Sequence, residues 1–338
     1  MTGLFLGSLT RIADLDVEPF AIERLPPSAW AGGDYVVGAV TGTPGPLYEI
    51  ETATGRHVRV LPGDLVVGAF GNREATLEGV GSWRDIEGDE MHAMTGAGLF
   101  GRFVSLSLML PRPLSLEYRG HVLRDGRKLS MGDFVESAAP QPLEAPVVLL
   151  YGTSMSAGKT TAGRVIVHEL SNAGLDVVGV KLTGAGRYRD VLSFQDAGAD
   201  AVFDFVDAGL PSTVVPEDVF LAAIRPLLGR IARRRPDVVV VEAGASPLEP
   251  YNGAAAIDEL GERIRCAVLC ASDPYAVTGV EHAFGLRPDV VMGPATSTSA
   301  AIALVRKLSG VPAINVLDPD SLPALRRVLA KCLDIRFR

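Results

Sequence analysis

The residues best suited to chemistry lie in one stretch, Gly152-Thr153-Ser154-Met155-Ser156-Ala157-Gly158-Lys159-Thr160-Thr161. The apolar run Val147, Val148, Leu149, Leu150 precedes it and reads as a buried strand. A long helical pattern follows it. A strand, a small-residue loop and a helix N-terminus together make a phosphate cradle. Loop N–H groups point inward, the helix dipole favours negative charge, and Lys159 adds a full positive charge. Thr160 is placed to put its hydroxyl on a magnesium ion. The spelling departs from G-x-x-x-x-G-K-[ST], because the first glycine position falls on Thr153 and Gly152 lies one residue earlier. A chance Gly-Lys-Thr at a helix start is the bland alternative, and the flanking strand and helix weigh against it. The expected cofactors are ATP and Mg2+, with residues 152–161 as the nucleotide-binding loop.

Three further side chains fit that chemistry. In Asp237-Val-Val-Val-Val-Glu242, four valines make a buried strand whose end presents an acid. Magnesium takes one or two carboxylates plus phosphate oxygens, so Glu242 is a candidate ligand. Val178-Gly-Val-Lys181 is a second buried strand, ending in a lysine. A lysine there is costly unless it meets an anion, which assigns Lys181 to the transferred phosphoryl group or a substrate carboxylate. Thr183 and the Gly184 amide are added donors. Asp190 is a candidate second metal ligand, preferred over Asp196 because it opens a helical pattern, and a plain N-cap is an equal reading of it. Arg187 or Arg189 could clamp an anion.

These residues need elements to hold them. From residue 147 onward, strands at 147–152, 176–182, 201–206, 237–243, 265–271, 289–292 and 312–316 alternate with helices. The helices are expected at 158–173, 191–199, 217–234, 275–284, 298–309 and 321–333. This order predicts βαβ units and a mostly parallel sheet with helices on both faces, whose ligands bind beyond the carboxyl ends of the strands. In the families that the chain resembles, named below, strand-end loops in this region contact the nucleotide base, which makes Thr296, in a Ser/Thr cluster after strand 289–292, and Asp318 weak candidates. Helix capping by Ser297, Thr298 or Ser321 is as good a reading there.

Residues 1–140 differ. Short apolar runs at 35–40, 47–50, 58–60, 64–70, 103–110, 114–118 and 121–123 alternate with Gly, Pro and Asp turns. They predict a mainly β domain, a barrel or sandwich. Asn72, Arg73 and His92 sit in glycine-rich stretches, where ordinary turn chemistry is favoured over a ligand role. Residues 141–146 form a Pro-rich linker, and 147–338 form the nucleotide-binding domain.

The chain has 338 residues, 47% hydrophobic and 21% charged, with net charge −8. That suits two folded domains and argues against nucleic acid as a partner. No apolar run reaches the roughly 20 residues that span a bilayer, and the first residues lack a signal peptide's basic region. Cys266, Cys270 and Cys332 have no metal-ligand companions and read as reduced core or near-surface thiols of a cytoplasmic protein. Cys266 and Cys270 fall on one face of a buried strand.

A Gly-Thr loop before Gly-Lys-Thr, a strand ending in lysine and a strand ending Val-Glu-x-Gly-Ala together resemble dethiobiotin synthetase. Asp190 to Ala199 is similar to the Asp-Ser-x-Arg-His-x-x-Ala-Gly-Ala stretch of the molybdopterin-guanine dinucleotide adaptor proteins. Both belong to one branch of P-loop NTPases, which implies a seven-stranded, mostly parallel fold over residues 146–318. The C-terminal domain also resembles a little-studied two-domain family proposed to act on N-acyl amino acids. The resemblance implies a homodimer with sites near its interface. Ser154 stands where dethiobiotin synthetase has an acid and where partitioning ATPases have their signature lysine. A biotin-pathway substrate and a dimer-switch ATPase are both disfavoured on that ground.

The reading that follows is a Mg2+-dependent, ATP-using kinase or ligase. It would transfer the γ-phosphoryl group to a small anionic substrate, a carboxylate, with the β domain supplying specificity or a lid. Lys159, Lys181 and Glu242 are the catalytic candidates, and Thr160, Asp190 and Glu242 the metal ligands. The rival is a regulatory or adaptor NTPase, with GTP open, that acts on a protein partner. The absence of an Asn/Thr-Lys-x-Asp guanine signature favours ATP.

Overall fold

The computed structural model describes residues 3–42, 49–139 and 141–337. It divides into two compact units. One comprises Met1–Ser137 with Ala185–Arg189 and Phe205–Ala223. The other comprises Ala138–Gly184, Asp190–Asp204 and Ile224–Arg338. Two short segments from the C-terminal half of the chain therefore belong to the first unit.

The first unit is built on strands β1 (Tyr35–Val40), β2 (Leu65–Phe70), β3 (Glu90–Thr95), β4 (Leu99–Leu106) and β5 (Leu114–Arg124). Their pairing runs β2–β1–β5–β3–β4, and β4 also pairs with β2, so the circuit of hydrogen-bonded strands closes. Val36, Val66, Phe70, Met91, Phe100, Leu116 and Tyr118 fill one core. The expected strand 103–110 is displaced to 99–106, because Leu99 and Phe100 are buried whereas Leu108 and Met109 are fully exposed. The runs expected at 114–118 and 121–123 are one strand, β5. Of the run expected at 47–50, Leu47 and Tyr48 lie outside the described residues, as does Pro140 before the linker.

Within this unit Glu51 is 1% exposed. Its carboxylate accepts from the Ser8 hydroxyl at 2.5 Å and from the amides of Tyr188 and Arg189 at 2.8 Å each. Those amides are the first two of a helix, whose N-terminal N–H groups have no partner within the helix. Glu51→Ala strands all three donors, and we expect a loss of about 2–5 kcal/mol in urea denaturation. A change below half a kilocalorie would show that water replaces the carboxylate there.

The second unit carries a six-stranded parallel sheet. Its strands are β6 (Val147–Gly152), β7 (Val177–Thr183), β8 (Ala201–Asp204), β9 (Val238–Ala243), β10 (Ile264–Cys270) and β11 (Val290–Met292). The order is β8-β7-β9-β6-β10-β11. The helices are α1 (Lys159–Asn172), α2 (Tyr188–Asp196), α3 (Glu217–Arg234), α4 (Gly253–Leu260), α5 (Pro274–Phe284), α6 (Ser299–Ser309) and α7 (Leu322–Leu333), with α2 and α3 starting in the first unit's segments. Val148 and Leu150 of β6 pack with Ala162, Ile166, Val167 and Leu170 of α1 and with Leu325 and Leu329 of α7. The α1 positions recur at helical spacing, and each large one contributes roughly 1.5–3 kcal/mol by burial.

Two elements depart from expectation. Helix α4 lies where only a connection was read. The strand expected at 312–316 is reduced to a bridge between Val291 and Ala313, so the described sheet has six strands rather than the seven that the family resemblance implies. Pro312 has no N–H for a ladder, and a turn from Asn315 to Asp318 closes the segment. Among the described residues no helix is long and apolar enough to cross a membrane.

Candidate functional site

The site is built at the carboxyl ends of β6, β7 and β9. The chain leaves β6 at Gly152, and the loop closes on Gly158, whose φ of 88° is left-handed. A side chain there costs about 1–2 kcal/mol, so glycine suits the turn into α1. A Cβ at Gly293, in the loop after β11, would stand 2.3 Å from the Ala157 carbonyl oxygen, so that loop seats the cradle only by close backbone approach. Thr153 joins the cradle to the loop after β10, its hydroxyl accepting from the Ser272 amide at 3.1 Å.

Lys159 begins α1 and is 2% exposed. Its Nζ donates to the Ser154 carbonyl oxygen at 2.6 Å. Burial pushes this ammonium below its ordinary value, against the pull of Glu242. A buried cation at a helix N-terminus, held by a neutral carbonyl, is a site for an anion. Phosphate oxygens would add counter-charge to that of Glu242.

Thr160 Oγ1 donates to Glu242 Oε2 at 2.9 Å. Glu242 is paired in register with Leu150 of β6 on one side and Lys181 of β7 on the other, and Lys181 is paired with Asp204 of β8. Three adjacent strand ends thus present Asp204, Lys181 and Glu242 in one row of alternating charge. Burial raises Glu242 above the ordinary carboxylate range, with Lys181 and Lys159 opposing. Burial works against the charge of Lys181, but Asp190, Glu242 and Asp204 outweigh it and hold the lysine above its ordinary value. The oxygen donors of Thr160 and Glu242, in contact beside a phosphate cradle, fit magnesium.

Asp190 accepts from Lys181 Nζ at 2.5 Å. It does not open its helix, as the sequence reading had it. Helix α2 starts at Tyr188, Glu51 takes its first amides, and Asp190 sits in the first turn. Asp196 is exposed at the last residue of α2, about 9 Å further along the axis. Arg187 and Arg189 are exposed. Thr183 donates to the Gly244 carbonyl at 3.1 Å. Thr296 is fully buried and its hydroxyl lies 2.9 Å from the carbonyls of both Gly293 and Ile314, so it braces the fold and presents no accessible hydroxyl. Asp318 and Thr298 cap helices. In the first unit, Asn72 donates to Val214 O, Arg73 bonds Met94 O and Glu78, and His92 Nδ1 accepts from Phe103 N. All three are thus engaged in hydrogen bonds within the first unit.

Two features escaped the sequence reading. Asp204 pairs in register with Lys181, as Glu242 does from the other side, and an acid late in an apolar strand was the available signal. Glu249 acts on the charge of Lys159 and accepts from the Ser246 amide at 2.7 Å. Its loop carries Ala245 at φ 59°, a conformation that a non-glycine residue rarely holds.

No family model and no curated protein matches the chain. Among solved structures it is similar to HypB from Helicobacter pylori in complex with nickel, at 14% identity over 57% of this chain and 89% of that one, with a TM-score of 0.38. It is also similar to chloroplast FtsY from Physcomitrella patens, at 14% identity over 54% of this chain and 62% of that one, TM-score 0.36. The signal recognition particle receptor FtsY from Elizabethkingia anophelis is similar at 16% identity over 54% of this chain and 61% of that one, TM-score 0.34. The matches span about three fifths of the length of these two FtsY chains. The second unit itself places the Gly152–Thr161 loop and the buried lysine at the head of α1 at the carboxyl end of a strand within a parallel sheet.

Proposed function

We propose that the chain is a Mg2+-dependent enzyme that uses ATP to phosphorylate a small anionic substrate, most simply a carboxylate, as a kinase or as the first step of a ligase. The observation that carries this reading is the buried Lys159, whose ammonium donates to the Ser154 carbonyl and is set beside the Thr160–Glu242 pair. Lys159 and the α1 N-terminus would hold the β- and γ-phosphates. Thr160 and Glu242 would hold the metal, which when bound neutralises charge on the phosphate oxygens. Lys181 lies one strand over from Glu242 and would steady the transferred group or the acceptor carboxylate. A carboxylate acceptor is already a nucleophile, so no general base is required. Catalysis of this kind rests on positioning and electrostatics.

A second reading, an adaptor or regulatory NTPase with ATP or GTP, is favoured by one observation. Lys181 is engaged by Asp190, so its charge is committed within the chain. The test is turnover of ATP and of GTP with magnesium, alone and with a panel of small carboxylates and amino acids. Turnover that rises severalfold or more with one acid supports the enzyme. Slow turnover indifferent to every acid contradicts it and favours the second reading.

A further inference from the structure

Three groups lie outside the nucleotide site and are far apart in sequence. Cys266 is buried in β10, Asp289 is exposed just before β11, and Cys332 is half-buried near the end of α7. Their two sulfurs and a carboxylate oxygen all lie within 4.8 Å of one another. Asp289 is fastened twice to Ala267, the neighbour of Cys266. Its amide donates to the Ala267 carbonyl at 2.8 Å, and its Oδ2 accepts from the Ala267 amide at 2.8 Å. That second bond orients the carboxylate and leaves Oδ1 for another partner, the kind of outer support that metal-ligating groups receive.

We infer that Cys266, Cys332 and Asp289 form a binding site for a thiophilic divalent cation, with zinc the best fit. Tetrahedral zinc, with Zn–S near 2.3 Å and Zn–O near 2.1 Å, places its ligand atoms about 3.6–3.8 Å apart. Atoms already within 4.8 Å reach that spacing by small side-chain rotations. Two sulfur ligands select against magnesium and calcium. The exposed side of Asp289 leaves the fourth position to water and gives the ion its entry. On binding, each thiol releases a proton to solvent and becomes a thiolate ligand.

The site lies away from the phosphate cradle. In β10, Cys270 pairs with Gly152 at the start of the loop, whereas Cys266 pairs with Val148, four residues back along the strand. Four residues of strand span about 13 Å. An ion there would tie α7 to β10 and to the turn before β11, so its effect is on stability.

The experiment uses the full chain, reduced and stripped of metal, titrated with Co2+ and then Zn2+. The expected result is one Co2+ per chain, with thiolate charge-transfer absorption and visible bands of tetrahedral cobalt, both displaced by Zn2+. Zn2+ should also raise the Tm. Cys332→Ser and Asp289→Asn should each weaken binding by about tenfold or more. The exposed Asp289→Asn keeps an oxygen for the Ala267 amide, and circular dichroism checks that both variants fold. Reduced protein without thiolate bands, or bands that survive Cys332→Ser, would overturn the site. So would a Cys266–Cys332 disulfide that forms in place of metal binding under reducing conditions.

Discussion

Lys159→Ala lowers Mg2+-nucleotide turnover by about 10²–10³-fold or more, the scale for loss of one preorganised charge at a reacting group. The same change leaves the fold intact or makes it more stable. Lys159 is buried, its ammonium is held by one neutral carbonyl, and burial already pushes it toward losing its proton. Removing such a charge relieves desolvation, and Lys159→Met, which keeps the stem's packing, should raise the Tm further than alanine. Loss of turnover with equal or greater stability marks a residue kept for its ligand. A variant that loses both together would mark Lys159 as structural.

Glu242→Gln is expected to cut turnover by about 10²–10³-fold and to raise the magnesium concentration needed for half-maximal rate. The amide keeps an oxygen for the Thr160 hydroxyl, so the fold should persist while the charge is gone. The wild-type acid also gives a pH signature. Burial raises Glu242 above its ordinary value of 4.5, with Lys181 and Lys159 only partly opposing. A carboxyl raised in the folded state contributes stability that is full below its unfolded value and lost as pH rises through its folded value. Magnesium binding has the opposite sign, because it requires the carboxylate. Magnesium affinity should therefore increase with pH above 4.5 in wild type and be flat in Glu242→Gln, as followed by calorimetric titration across that range. An equal pH dependence in both proteins would remove Glu242 from the metal site.

Much of this site was legible in the sequence because each part is local. The loop from Gly152 to Thr161 fixes the start of α1, and the valine runs fix β7 and β9 with Lys181 and Glu242 at their ends. What escaped depends on the third dimension or on weak local signals. The ion pair between Lys181 and Asp190 joins side chains across a turn, and no spacing rule announces it. Helix α4 begins after Asn252 in a left-handed conformation with no side-chain cap, and its Gly-Ala-Ala-Ala opening carries little hydrophobic period. The start of α2 was placed late because its cap is Glu51, more than a hundred residues away in sequence. The thiols were read as isolated, since Cys266 and Cys332 meet only when α7 folds onto the sheet.

The most direct measurement of the central claim is calorimetric titration of the full chain with ATP, with and without magnesium, set against Lys159→Ala. The account predicts one triphosphate bound per chain, tighter with magnesium and lost or weakened by at least about tenfold in the variant. Binding of equal strength in Lys159→Ala, or no binding to the wild-type chain, would contradict it.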